Sequence, residues 1–170
     1  MLSERLLNSL NEQINFELES EYIYLAMAAY CENEDLQGFA NFFKVQAQEE
    51  RFHATKFYDF IFQMGGRVTL KGIPAPQNDY KDILSVFTEG LKHEQEVTRR
   101  IYALSDIAME EKEHATISFL KWFIDEQVEE EDTFNNLIKK LKRIDNSPAA
   151  LYMLDEELAA RTFTPPATEA

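Results

Sequence analysis

Gly65-Gly66-Arg67-Val68-Thr69-Leu70-Lys71-Gly72-Ile73-Pro74-Ala75-Pro76-Gln77-Asn78-Asp79-Tyr80 is the stretch on which the reading of the fold turns. No proline precedes Pro74 and none falls between Gln77 and Ser147, so this connection separates two long segments that are free to be helical. Each segment has one weaker break of its own, Glu32-Asn33-Glu34-Asp35 in the first and about Met109 to Glu113 in the second. The order is therefore helix, short turn, helix, long connection, helix, short turn, helix, each helix of roughly 28 residues and about 42 Å. The 16 residues of the connection reach roughly 50 Å when extended, enough to run the length of such a bundle. Short turns make helices one and two antiparallel, and likewise three and four. The crossover makes two and three parallel.

Apolar periodicity supports the same four helices. Leu6, Leu10, Ile14, Tyr24 and Ala28 form one stripe, with Asn8, Asn11, Glu12 and Asn15 on the far side. Leu36, Phe39, Phe43, Ala54, Phe57, Ile61 and Met64 form the second; Ile83, Phe87, Val97, Ile101 and Ala108 the third; Leu120, Phe123, Phe134, Ile138 and Leu141 the fourth. A fifth, short helix is expected from Pro148, capped by Ser147 or Asn146, with Leu151, Leu154 and Leu158 on its apolar face. The fold class is all-α, a four-helix bundle with one long crossover between helices two and three and a short C-terminal fifth helix. The bundle and fifth helix take residues 1–160, and 161–170 are expected to be a flexible tail.

Composition narrows the function. Five glycines and five prolines in 170 residues are too few for a turn-rich β-sandwich or barrel, and no glycine spacing makes a phosphate-binding loop. With 31 acidic against 17 basic residues the formal net charge is −14, which disfavours nucleic acid and anionic membranes as partners and favours cations. Cys31 is the only cysteine, so an intrachain disulfide, a paired-cysteine zinc site and an iron–sulfur cluster are excluded. No apolar run is long enough to span a membrane, and charged residues near the N-terminus interrupt any signal-peptide core. A cytoplasmic location is expected.

Charged residues inside the apolar stripes carry the chemistry. Glu17 interrupts the first; Glu50, with His53 one turn on, the second; Glu94 the third; Gln127 and Glu130 the fourth. An unpaired buried carboxylate costs several kcal/mol or neutralises itself by a raised pKa, and four at one level repel each other, so a cation is needed between them. Glu17 to Glu50 and Glu94 to Gln127 are both 33 residues, which brings the two hairpins' polar groups to one level. A Glu from each of two helices with Glu-x-x-His motifs from the others is the di-iron carboxylate arrangement. Here the second motif is Gln127-x-x-Glu130. The bland alternatives are a Glu that snorkels from a stripe's edge and a buried network that shares protons.

On these residues, with Glu49-Glu50-Arg51-Phe52-His53 and Glu126-Gln127-Val128-Glu129-Glu130, nearly the whole chain resembles the non-haem bacterial ferritins. The resemblance implies that Glu17, Glu50 and His53 hold one iron and that Glu50 bridges to a second, held with Glu94 and Glu130, Gln127 lying beside it. Glu49, Glu126 and Glu129, with Glu130 shared, would take a third iron. Tyr24 would be the electron-donating tyrosine beside the centre. Iron(II) is then the substrate, oxidised by O2 or hydrogen peroxide, with the ferric mineral stored in a homo-oligomer of 24 subunits. Haem is not expected, because Arg51 and Phe52 replace a haem-ligating methionine in the first motif and Gln127-x-x-Glu130 replaces a second Glu-x-x-His. The alternative within the class is a di-iron oxidase or peroxidase that does not store iron. A third is a structural bundle whose carboxylates only bind divalent ions.

Four further features are read more plainly. His93 points about 100° away from Glu94 and is expected to be exposed rather than a ligand. Trp122 is expected on the outer face of the fourth helix, in subunit packing. Glu110-Glu111-Lys112-Glu113-His114 is read as solvated acid opening that helix, with a cation-entry mouth as the alternative. Cys31 is expected to be a packing residue.

Overall fold

The computed structural model describes residues 2–165, and among them every regular element is a helix. They are α1 (Glu4–Asn33), α2 (Gln37–Gln63), α3 (Ile83–Glu110), α4 (His114–Ile144) and α5 (Pro148–Ala159). The predicted all-α bundle with one crossover and a fifth helix is the fold observed. Capping side chains set the starts of α1, α3, α4 and α5, while α2 begins after Leu36 without one. Ser3 accepts from the Leu6 amide, Asp82 and Ser85 form a reciprocal capping box, Glu113 accepts from Thr116, and Ser147 caps α5 with Pro148 in its first turn. Both hairpin turns close alike. Asp35 and Lys112 take left-handed backbone, and the next amide reaches five residues back, Leu36 to the Cys31 carbonyl and Glu113 to that of Ala108, each at 2.9 Å.

The crossover, residues 64–82, is held by α1 through side chains. Asn11 donates to the Arg67 carbonyl at 3.0 Å and accepts from the Thr69 amide at 2.6 Å; Asn15 donates to the Thr69 carbonyl at 3.0 Å and accepts from the Lys71 amide at 2.6 Å. Four residues of helix rise about 6 Å, close to two residues of extended chain, so asparagines spaced i, i+4 match a strand-like backbone. This corrects the expectation for the far side of α1. Asn11 is buried there, because the crossover covers that face.

Burial divides the core in two. One apolar cluster joins Tyr24, Met27, Phe39, Phe42, Phe43, Phe87 and Phe134 with Leu154 and Leu158 of α5. The other joins Leu6, Leu10, Ile14, Phe57, Ile61, Val97, Ile101, Leu120 and Phe123. On each long helix the residues between the clusters are the polar ones that interrupt the stripes. Cys31 is buried in the first cluster, its thiol pushed up to about 12 by burial, in keeping with a packing role.

α5 lies on α2. Leu154 and Leu158 are buried, the Phe39 amide donates to Asp155 at 3.0 Å, and Asn41 donates to the carbonyls of Leu158 and Arg161 at 3.0 and 2.9 Å. The chain beyond α5 stays on α2, with Arg161 over the Phe42 ring and Phe163 against Phe52. The start of the expected tail is thus packed structure, and its residues 166–170 lie outside the described residues.

Candidate metal centre

Between the two apolar clusters, α1 supplies Glu17 and α2 supplies Glu50 and His53, one turn apart. All three are buried, and one ligand atom from each lies within 4.8 Å of the others. His53 Nδ1 is 3.4 Å from Glu50 Oε2. Glu17 Oε1 accepts from Gln13 at 2.8 Å, while Glu17 Oε2 and Glu50 Oε2 are buried without a hydrogen-bond partner. α3 and α4 supply the other side. Glu94 accepts from the Tyr24 hydroxyl on one oxygen and from Gln127 Nε2 at 3.1 Å on the other; Glu130 accepts from Gln46 Nε2 at 2.9 Å.

Burial raises the carboxyl pKa values here, and like charge adds to it. Glu17 is held well above its ordinary range by burial and then by Glu50; Glu50 by burial and then by Glu94. Glu94 is pushed up to about 8 by burial and Glu130, against hydrogen bonds from Tyr24 and Gln127. Orphaned buried oxygens, carboxylates crowded at one level and a single imidazole fit a hard divalent or trivalent cation.

Stability of the metal-free protein follows in sign. A carboxyl whose pKa is raised by folding makes the native state bind more protons than the unfolded one, so its stability is lost as pH rises towards the folded value. His93 opposes this lower down, since burial depresses it to about 4 and its contribution is lost as pH falls from about 6.5. Above about 6.5 the neutral form of His93 prevails in both states, its opposing effect fades, and by about pH 8 the carboxylates dominate. The metal-free melting temperature is therefore expected to fall across that window. Calorimetry showing a flat or rising profile there would contradict the buried-carboxylate reading.

A family model, the ferritin-like domain, matches residues 7–144. The chain belongs to the ferritin family. It is 53% identical over 163 residues to a bacterial non-heme ferritin of Staphylococcus haemolyticus and 52% identical to one of Staphylococcus aureus, in each case over 96% of this chain and 98% of the relative. Among solved structures, an engineered closed form of the Archaeoglobus fulgidus ferritin superposes with a TM-score of 0.95 at 44% identity, over 96% of this chain and all of that one. The open-pore ferritin of the same archaeon gives 0.94 at 42% identity, over 95% of this chain and all of that one.

In this ferritin the acids expected around a third iron are not gathered like the first three. Among the described residues only Glu17, Glu50 and His53 bring three ligand atoms within 4.8 Å of one another. Glu49 is half-buried, paired with Arg161 at 2.8 Å and pushed up to about 7 by burial. Glu126 is half-buried and raised for the same reason, and Glu129 is exposed.

Two expectations are corrected. His93 is not exposed: it is half-buried, with its Nε2 2.7 Å from Ser20 Oγ and its ring stacked on Phe16 and edge-on to Tyr24. α1 covers the face of α3 that a single helical wheel leaves open. Trp122 walls the centre, its ring centroid 5.5 Å from that of His53, with Lys56 Nζ 4.3 Å above the indole. In the acidic turn Glu113 caps α4 and Glu110 pairs with Arg5 at 2.7 Å, both ordinary structural roles.

Gln13 and Gln46 escape a search for charged interruptions, yet both are buried and bind carboxylates of the centre. A signal existed. They lie four residues before Glu17 and Glu50 and are themselves 33 residues apart.

Proposed function

We propose that this ferritin oxidises iron(II) at a pair of sites in the polar layer and stores the ferric product inside a homo-oligomeric shell, a 24-subunit cage. The observation that carries the reading is the buried Glu17–Glu50–His53 cluster with two unpartnered carboxylate oxygens, faced by Glu94, Gln127 and Glu130. Glu17, Glu50 and His53 would hold one iron, and Glu50, Glu94 and Glu130 a second. Two iron(II) ions each give one electron, so O2 accepts two electrons and two protons and leaves as hydrogen peroxide, or hydrogen peroxide is itself reduced to water. Glu17 and Glu94 are oriented before metal arrives by Gln13, Tyr24 and Gln127. Phe57, Phe123 and Trp122 line the His53 side and limit water. Tyr24, hydrogen-bonded to Glu94, is positioned to give an electron, and Glu49, Glu126 and Glu129 would take a third iron beside Glu130. Gln127 is neutral, so it adds no charge to the three carboxylates of the second site and acts there as a hydrogen-bond donor to Glu94.

Adding iron(II) in air at many atoms per subunit, while following oxygen uptake and particle mass together, tests this. Oxygen uptake with mass accumulating in a large soluble particle is the expected result. A small oligomer that oxidises about two irons per subunit and then precipitates the rest would replace storage by a di-iron oxidase; binding without oxidation would leave only a metal-binding bundle.

A further inference from the structure

The segment after α5 delivers a permanent cation to an acid of the centre's outer side. Arg161 Nη2 donates to Glu49 Oε2 at 2.8 Å, and its Nη1 donates to the Phe42 carbonyl at 3.4 Å. The guanidinium carbon lies 4.4 Å from the Phe42 ring centroid. The backbone is pinned on both sides of Glu49 along α2, by Asn41 on the Arg161 carbonyl and by Phe163 against Phe52 at 6.0 Å. Both side chains of the pair are about three-quarters buried, 25% and 22% exposed. A guanidinium never gives up its charge near neutral pH, and this one is stacked and hydrogen-bonded before Glu49 is counted.

We propose that Arg161 is the resident counter-ion of the outer acid set, so that a divalent cation competes with its charge at Glu49 and reaches Oε2, or both oxygens together, only by displacing this guanidinium. The inference rests on the reading that Glu49, with Glu126, Glu129 and Glu130, takes a third metal. It makes that site conditional. The inner cluster offers orphaned oxygens to an arriving ion, whereas one of the two oxygens of Glu49 is already in a charge-assisted bond. Filling is thus ordered, inner sites first, and the threshold of the outer site is set by the C-terminal segment rather than by the bundle. Arg161 acts through Glu49 as a positioning residue and touches no reacting atom.

Crystals of the assembled protein and of its Arg161→Gln variant, soaked in graded Zn2+, provide the test through zinc anomalous signal, which needs no oxidation. Glutamine keeps the backbone bond to Asn41 and removes the charge. Zinc at Glu49 is expected to half-saturate at roughly tenfold lower concentration in the variant, the effect of one charge-assisted bond, with the Glu17–Glu50–His53 signal unchanged. Equal half-saturation at Glu49 in the two proteins overturns the role of Arg161 while leaving the outer site standing. No zinc at Glu49 in either, with the inner cluster filled, overturns the outer-site reading and this proposal with it. If glutamine releases Phe163 from Phe52, Arg161→Lys, which keeps the charge without the planar fork, is expected to shift the zinc dependence less than glutamine; an equal shift overturns the proposal.

Discussion

Replacing Glu50 by alanine is expected to slow rapid iron(II) oxidation by about 100-fold or more while leaving the metal-free protein at least as stable as its parent. Glu50 stands in the middle of the polar layer. Its oxygen lies 3.4 Å from His53, its charge raises Glu17, and it is itself raised by the charges of Glu94 and Glu130. In the proposed ligand set it is the one carboxylate shared by the two metal positions, so its loss would uncouple them. A generic core truncation would also reduce activity, but through unfolding, and would lower the melting temperature. Here the removed group is an acid with an orphaned oxygen among like charges, and its burial opposes folding. Opposite signs in activity and metal-free stability are therefore the signature, read by stopped-flow absorbance and calorimetry on the same preparation. Unchanged initial rates would sink the assignment of the site. A large drop in melting temperature would instead make Glu50 part of a satisfied structural network.

What the sequence reveals of this centre follows from the length scale of each interaction. Glu17, Glu50, Glu94 and Glu130 are legible because each is an acid where its own helix needs an apolar residue, a contradiction visible in a window of two turns. The equal 33-residue spacings add register, since both hairpins have comparable arms. Gln13 and Gln46 are harder to see because a neutral amide at a stripe's edge contradicts nothing until its partner carboxylate is known. His93 and Trp122 are misplaced by the helical wheel for a shared reason. A wheel divides one helix into inside and outside, whereas α1 lies over His93, and Phe52 and Lys56 of α2 close on Trp122. The asparagine ladder and Arg161 lie further out of reach. They join helix surfaces to extended chain, which has no hydrophobic period to read. The ion pair at Glu49 is the case with consequences for function, because the resemblance alone makes Glu49 a free ligand.

Alanine at Gly38 is expected to detach α5, although helix propensity taken alone predicts the reverse. Gly38 is the second residue of α2, and replacing a helical glycine by alanine ordinarily stabilises by up to about 1 kcal/mol. Here a β-carbon would stand 1.7 Å from the Asp155 carbonyl oxygen and 2.5 Å from its carbon. These are backbone atoms in the middle of α5, so no rotamer change relieves the overlap and the two helices must separate. Separation exposes Leu154 and Leu158, each worth about 1.5–3 kcal/mol when fully buried, and breaks the bond from the Phe39 amide to Asp155. Even discounted for a compact unfolded reference, on the order of 3 kcal/mol of docking energy outweighs the propensity gain. The loss is expected to be local, because the aromatic cluster of Phe42, Phe43, Phe87 and Phe134 packs among the long helices. Amide exchange of Ala149–Ala159 is therefore expected to accelerate towards unprotected rates while α1 to α4 stay protected. Arg161 is drawn away with α5, so the Gly38→Ala protein is also expected to admit zinc at Glu49 more readily. A variant that melts higher than its parent with α5 still protected would show that the close approach at Gly38 is not what fixes the fifth helix.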